Sequence, residues 1–176
     1  MRKKVLLSAV FLLFATAVTL PVAAQNIIPQ PENISLMKGH FKLNKGTKIV
    51  TNLTGSDFKV LNQYTSEVLK HPLAYAKNPS QQGVFRLICK GTAQQAAQAM
   101  DSVRLQGYEL EVTPKGITIQ ALTPTGLFYG LQTVRQLEKD GQVACVKVKD
   151  APRFAYRGLM IDCSRHFWTK DFLKKQ

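Results

Sequence analysis

Apolar and polar positions along this chain switch between a period of two and a period near 3.6, and each switch marks an element. Ile27-Ile28-Pro29-Gln30-Pro31, an apolar pair and two prolines, suits an extended leading strand. Residues 34–37, 41–43 and 48–51 then read as short strands split by Gly39 and Gly46. From Ser56 to Lys70 the period becomes helical. Phe58, Leu61, Thr65, Val68 and Leu69 share one face, Lys59, Gln63, Glu67 and Lys70 the other, and His71-Pro72 ends the run. Residues 84–89 are a compact β-prone run, whereas 91–101 is polar and alanine-rich and reads as a weak helix or a loop.

A hairpin comes next. Tyr108, Leu110 and Val112 alternate with Glu109 and Glu111, Pro114-Lys115-Gly116 turns the chain, and Ile117 and Ile119 return. Thr123 is placed to cap a second helix with Pro124 at its first position, where the missing N–H costs nothing. Leu127, Leu131, Val134 and Leu137 form its stripe, Gly130 permits close packing on a sheet, and Asp140-Gly141 stops it. Residues 143–148 supply a last strand. The predicted fold is α+β, a mainly antiparallel sheet with two helices on one face, closing near Asp150-Ala151-Pro152. Beyond it, residues 156–162 read as a buried strand and Thr169 as the cap of a helix bearing Phe172 and Leu173. A single βα unit cannot bury itself, so this reads as the opening of a repeat.

The N-terminus changes the picture of where such a domain works. Arg2, Lys3 and Lys4 precede an apolar run from Val5 to Leu20, and Pro21-Val22-Ala23-Ala24 supplies small residues for a cut. This is the pattern of a signal peptide over residues 1–24, cleaved near Ala24, so the protein is expected in the periplasm or outside the cell with no stable membrane anchor. Removing the leader's three basic residues takes the net charge from +13 to +10. Such a charge attracts nucleic acid or anionic glycans. However, the lysines are scattered and never interleave with aromatics, so the expectation is a solvated basic surface and no nucleic-acid partner. Cys89, Cys145 and Cys163 are odd in number and lie in apolar stretches, which favours buried thiols while leaving one bridged pair open. His40, His71 and His166 show no ligand spacing with them, and no metal is expected.

Polar residues at the C-terminal end of a βα strand are where barrel enzymes keep their sites. Here that end carries Asp162, Arg165 and His166, which on their own also suit a salt-bridged corner. The string Tyr156-Arg157-Gly158-Leu159-Met160-Ile161-Asp162-Cys163-Ser164-Arg165-His166-Phe167 resembles the first barrel strand of glycoside hydrolase family 20, the β-N-acetylhexosaminidases. Thr123-Pro124-Thr125-Gly126-Leu127-Phe128-Tyr129-Gly130-Leu131-Gln132-Thr133-Val134-Arg135-Gln136-Leu137 is similar to the long helix of that family's N-terminal α+β domain. Ile27 to Pro31 resembles its leading segment, and Pro152-Arg153-Phe154 its link to the barrel.

After the signal peptide at 1–24, the resemblance implies an α+β domain at 25–150 and the start of a (β/α)8 barrel at 151–176. It implies that Arg157 binds hydroxyls of a terminal N-acetylhexosamine, for which its fork of donors is suited. Asp162, Arg165 and His166 are implied to support the pocket from behind. The family's retaining hydrolysis is assisted by the substrate: the acetamido oxygen attacks, an aspartate steadies it, and an adjacent glutamate protonates the leaving oxygen, outside the usual two-carboxylate scheme. No cofactor is implied, and the partner is a glycan bearing N-acetylhexosamine. This chain contains no adjacent Asp-Glu, and Glu109 and Glu111 belong to a wet strand face, so no catalytic residue is assigned and the chain alone is expected to be inactive. A different reading keeps the α+β domain as a non-catalytic module, although Trp168, the sole tryptophan, lies outside it.

Overall fold

The computed structural model describes residues 27–70, 74–75, 83–91 and 103–175. The signal peptide, the His71-Pro72 stop and nearly all of the 91–101 stretch lie outside the described residues. Eight strands, β1 (Asn33–Lys42), β2 (Lys48–Thr51), β3 (Ala74–Tyr75), β4 (Val84–Cys89), β5 (Tyr108–Thr113), β6 (Gly116–Ala121), β7 (Glu138–Lys139) and β8 (Gln142–Asp150), form one sheet. Its order is β1-β8-β5-β6-β4-β2-β3, with β7 paired to β8. Helices α1 (Gly55–Leu69) and α2 (Pro124–Leu137) pack on one another and share one core with the sheet, and a single turn, α3 (Lys170–Leu173), lies near the C-terminus.

The two long helices match their sequence patterns. In α1, Leu61, Thr65, Val68 and Leu69 are buried, and Lys70 closes the helix in the left-handed region at φ 55°. In α2, the Thr123 hydroxyl accepts from the Gly126 N–H at 3.3 Å, and Leu127, Leu131, Val134 and Leu137 are all buried. They meet the inward residues of the hairpin, Leu110, Val112, Ile117 and Ile119, together with Phe85 and Leu87 of β4. A Cβ on Gly130 would lie 2.5 Å from Cγ2 of Ile119, and one on Gly126 would lie 2.4 Å from the Gly107 carbonyl oxygen. Two glycines four residues apart thus let α2 lie almost against the backbone of the sheet.

Two expectations are corrected, and that of a mainly antiparallel sheet is qualified. The sheet is mixed: β1, β8, β5 and β6 run antiparallel to their neighbours, but β6, β4, β2 and β3 are parallel. Parallel pairing needs a crossover of a dozen or more residues, and the fifteen-residue α1 between β2 and β3 provides one. The runs at 34–37 and 41–43 are one strand, β1, with a bulge between Leu36 and His40 where Gly39 takes φ +103°. Residues 27–31 form no strand. Ile27 and Pro31 are buried instead, and the Gln136 side chain clamps Ile28 from both sides, accepting its N–H at 2.8 Å and donating to its carbonyl at 3.0 Å.

The barrel-type strand expected at 156–162 is also not formed. Tyr156, Leu159 and Met160 are 90%, 78% and 88% exposed. A strand is held by its neighbours' hydrogen bonds, and the described residues offer this segment none. Thr169 does cap the helix that follows, its hydroxyl accepting from the Phe172 N–H at 3.2 Å. The cysteines are all free: Cys145 is buried, Cys89 half-buried and Cys163 exposed, so burial holds for one thiol fully.

Candidate functional site

Arg157 ties the segment after β8 to the domain. The Arg157 guanidinium donates through Nη2 to the Gln106 side-chain oxygen at 2.7 Å and to the Tyr129 hydroxyl at 2.6 Å, and through Nη1 to the Phe154 carbonyl. Its carbon also sits 5.2 Å from the centre of the Tyr129 ring, within cation–π range. Tyr129 is positioned by α2, where it follows Phe128, and the two rings meet edge to face at 5.5 Å. Phe128 in turn meets Tyr64 of α1 at 4.7 Å. A row of half-buried aromatics across both helices therefore ends at the arginine.

Asp162, Arg165 and His166 form a separate group. The Arg165 Nε donates to Asp162 Oδ2 at 2.5 Å, and the Ser164 N–H to Oδ1 at 2.8 Å. The Arg165 guanidinium, seconded by the Ser164 N–H, holds the Asp162 carboxyl below the usual range for an aspartate. His166 meets Trp168 edge to face at 4.5 Å, and Trp168 stacks on Phe172 at 4.4 Å. Among the described residues no hydrogen bond or ion pair joins this group to Arg157. The four residues singled out in the sequence thus occupy one segment without converging on one pocket. A cleft of about 710 Å³ opens beside the start of that segment, lined among others by Lys90, Arg104, Tyr108, Asp150 and Arg153, and none of the four lines it.

Two features of the surrounding domain had no sequence signal. The Tyr108 hydroxyl lies 2.5 Å from that of Thr133 on α2 and 3.4 Å from Asp150 Oδ2, while Asp150 Oδ1 accepts the Glu32 N–H at 3.1 Å. Burial pushes the Tyr108 phenol above its ordinary range. On the opposite sheet face, Glu111 pairs with Lys147 at 2.8 Å and Glu109 with Lys149 at 3.5 Å, directly across β5 and β8. Those glutamates are engaged in a cross-strand ladder and face solvent. The partners of Arg157 were likewise invisible: Tyr129 stands in the quoted helix string, but nothing local marks it as the arginine's acceptor.

The layout is thus an α+β sandwich of mixed sheet and two helices followed by an arginine-bearing strap. The family described as glycosyl hydrolase family 20, domain 2, matches residues 24–151. The chain belongs to glycosyl hydrolase family 20. It is 24% identical over 178 residues to beta-hexosaminidase subunit A1 of Dictyostelium discoideum, covering 96% of this chain and 33% of that protein. It is 29% identical over 157 residues to a beta-hexosaminidase of Vibrio furnissii, covering 87% and 24%. A solved structure of a mutant Streptomyces plicatus beta-hexosaminidase, in complex with the product GlcNAc, superposes with a TM-score of 0.65 at 28% identity over 86% of this chain and 31% of that one. The chain spans about a third or less of each of these relatives.

Proposed function

We propose that this chain is the N-terminal part of an exported β-N-acetylhexosaminidase that removes terminal N-acetylhexosamine from glycans by substrate-assisted retaining hydrolysis. The family match across residues 24–151 carries the reading, and the relatives' names supply the substrate class. In it, residues 1–24 direct export, 25–150 form the accessory domain, and 151–176 open the catalytic barrel. Arg157 contacts sugar hydroxyls, with Asp162, Arg165 and His166 supporting it. For that role Arg157 exchanges Gln106, Tyr129 and Phe154 for the sugar, since Nη1 and Nη2 are both engaged in this structure. No adjacent Asp-Glu exists in these 176 residues, so this chain alone carries out no turnover.

The test has two arms. The purified chain, given a chromogenic N-acetylglucosaminide, is expected to release nothing, and turnover would overturn the assignment of inactivity. The reading frame followed past codon 176 is expected to encode an adjacent Asp-Glu after a later strand. An enzyme expressed from that frame with no hexosaminidase activity would sink the proposal.

A further inference from the structure

Three lysines far apart in sequence are brought to one end of the sheet. Lys38 lies in the β1 bulge, and the neighbouring Gly39 sits with its Cβ position 3.4 Å from Pro114 in the β5–β6 turn. Lys115 follows Pro114 in that turn, and its carbonyl accepts the Gly83 N–H at 2.7 Å, just before β4 begins. Val84 of β4 then pairs with both Gly116 and Lys48, the first residue of β2. The three cations thus lie along one line across β1, β8, β5, β6, β4 and β2. Five strand spacings of about 4.8 Å make that line roughly 24 Å long.

Lys38 and Lys115 are exposed and Lys48 half-exposed, and none forms an ion pair among the described residues. Glu111, the acid nearest this end of β5, is already held by Lys147. The positive field here is therefore uncompensated along the line, in a chain whose net charge is +13. We propose that this sheet end is a docking rim for a linear anionic polysaccharide bearing sulfate or uronate groups, distinct from the sugar contact assigned to Arg157 and independent of it. Lysine point charges suit sequence-independent contacts with spaced anions. Lysines on strands and a turn could meet phosphates as readily as sulfates, so the choice of a polysaccharide rests on the reading above of an exported protein of a glycan-hydrolysing family.

The rim is tested on heparin-agarose with the purified protein, a K38Q/K48Q/K115Q variant, and a control of equal charge, K59Q/K139Q/K174Q. Circular dichroism and thermal unfolding verify folding, and the three single variants replace the triple if it fails. The rim variant is expected to elute at clearly lower salt than the control. The dependence of log affinity for a sulfated oligosaccharide on log salt should flatten by about three, roughly one per contact removed. Equal shifts in rim and control variants would overturn the proposal by reducing the effect to bulk charge. A rim-specific loss on duplex DNA or anionic vesicles, with none on the sulfated oligosaccharide, would overturn it as well.

Discussion

Replacing Gly130 with alanine sets two opposed effects against each other at one site. Alanine in a helix interior is favoured over glycine by about 1 kcal/mol. Against that, the new methyl carbon falls 2.5 Å from Ile119 Cγ2 and 3.2 Å from Tyr108 Cδ2, well inside normal contact distance. Ile119 is fully buried on β6 between β5 and β4, and its branched Cβ restricts χ1 within that packed site, so it has little room to turn aside. Tyr108 is tied by its hydroxyl to Thr133. The helix must lift, which places the cost in the upper part of the roughly 1–3 kcal/mol typical of overpacking. The clash wins, and G130A should lose about 1–2 kcal/mol, or about 3–8 °C of melting temperature for a domain of this size. Urea unfolding followed by far-UV circular dichroism measures it, with the slope on urea unchanged. An unchanged or raised midpoint would refute the reasoning, because propensity alone would then account for the site.

Glu138 supplies a pH dependence whose sign follows from its surroundings. Burial acts to raise its pKa, but the Gly141 N–H at 2.8 Å and the Lys70 ammonium at 3.0 Å outweigh it, and the carboxyl titrates below the usual range. A depressed folded pKa gives stability that is present above the ordinary glutamate value and lost as pH falls through the folded one. E138Q should therefore narrow the difference in urea midpoint between neutral and acid pH, and an unaltered pH profile would count against the contacts. Y108F should cost about 1–2 kcal/mol, because it deprives the buried Thr133 hydroxyl of its close partner. The double variant Y108F/T133V should recover part of that loss, and strict additivity in urea unfolding would contradict the pairing.

What the sequence disclosed was what neighbours along the chain decide. The β5–β6 hairpin announced itself through strict alternation and Pro114-Lys115-Gly116, and α2 through Thr123-Pro124 and a four-residue apolar stripe. Alternation fixes which face of a strand is buried, but not the direction of the strand beside it, so the parallel pairing of β2, β4 and β6 was hidden. Gly39 read as a break because a glycine between two apolar runs looks alike whether the chain turns or merely bulges. Residues 156–162 have the composition of a buried strand, yet composition does not supply the hydrogen-bonding neighbours such a strand requires. In the candidate site, Arg157 could be singled out from its local string. Its two distant acceptors, 28 and 51 residues away, were set by how α2 and the turn before β5 fold back toward the strap.

The pairing of β1 with β8 has a mechanical consequence. Asn33 lies opposite Lys149, so the first strand begins where the last strand ends. Tension applied through the two flanking segments falls first on that single pair and peels β1 from β8 one rung at a time, as a zipper opens, instead of shearing the whole ladder at once. Ahead of the zipper, among the described residues, stand the Gln136 clamp on Ile28, the bond from the Glu32 N–H to Asp150, and the Arg157 bonds to Gln106 and Tyr129 on the trailing segment. Under load the domain should yield at low force from its β1 edge, while the parallel strands on the far side of the sheet stay folded longest.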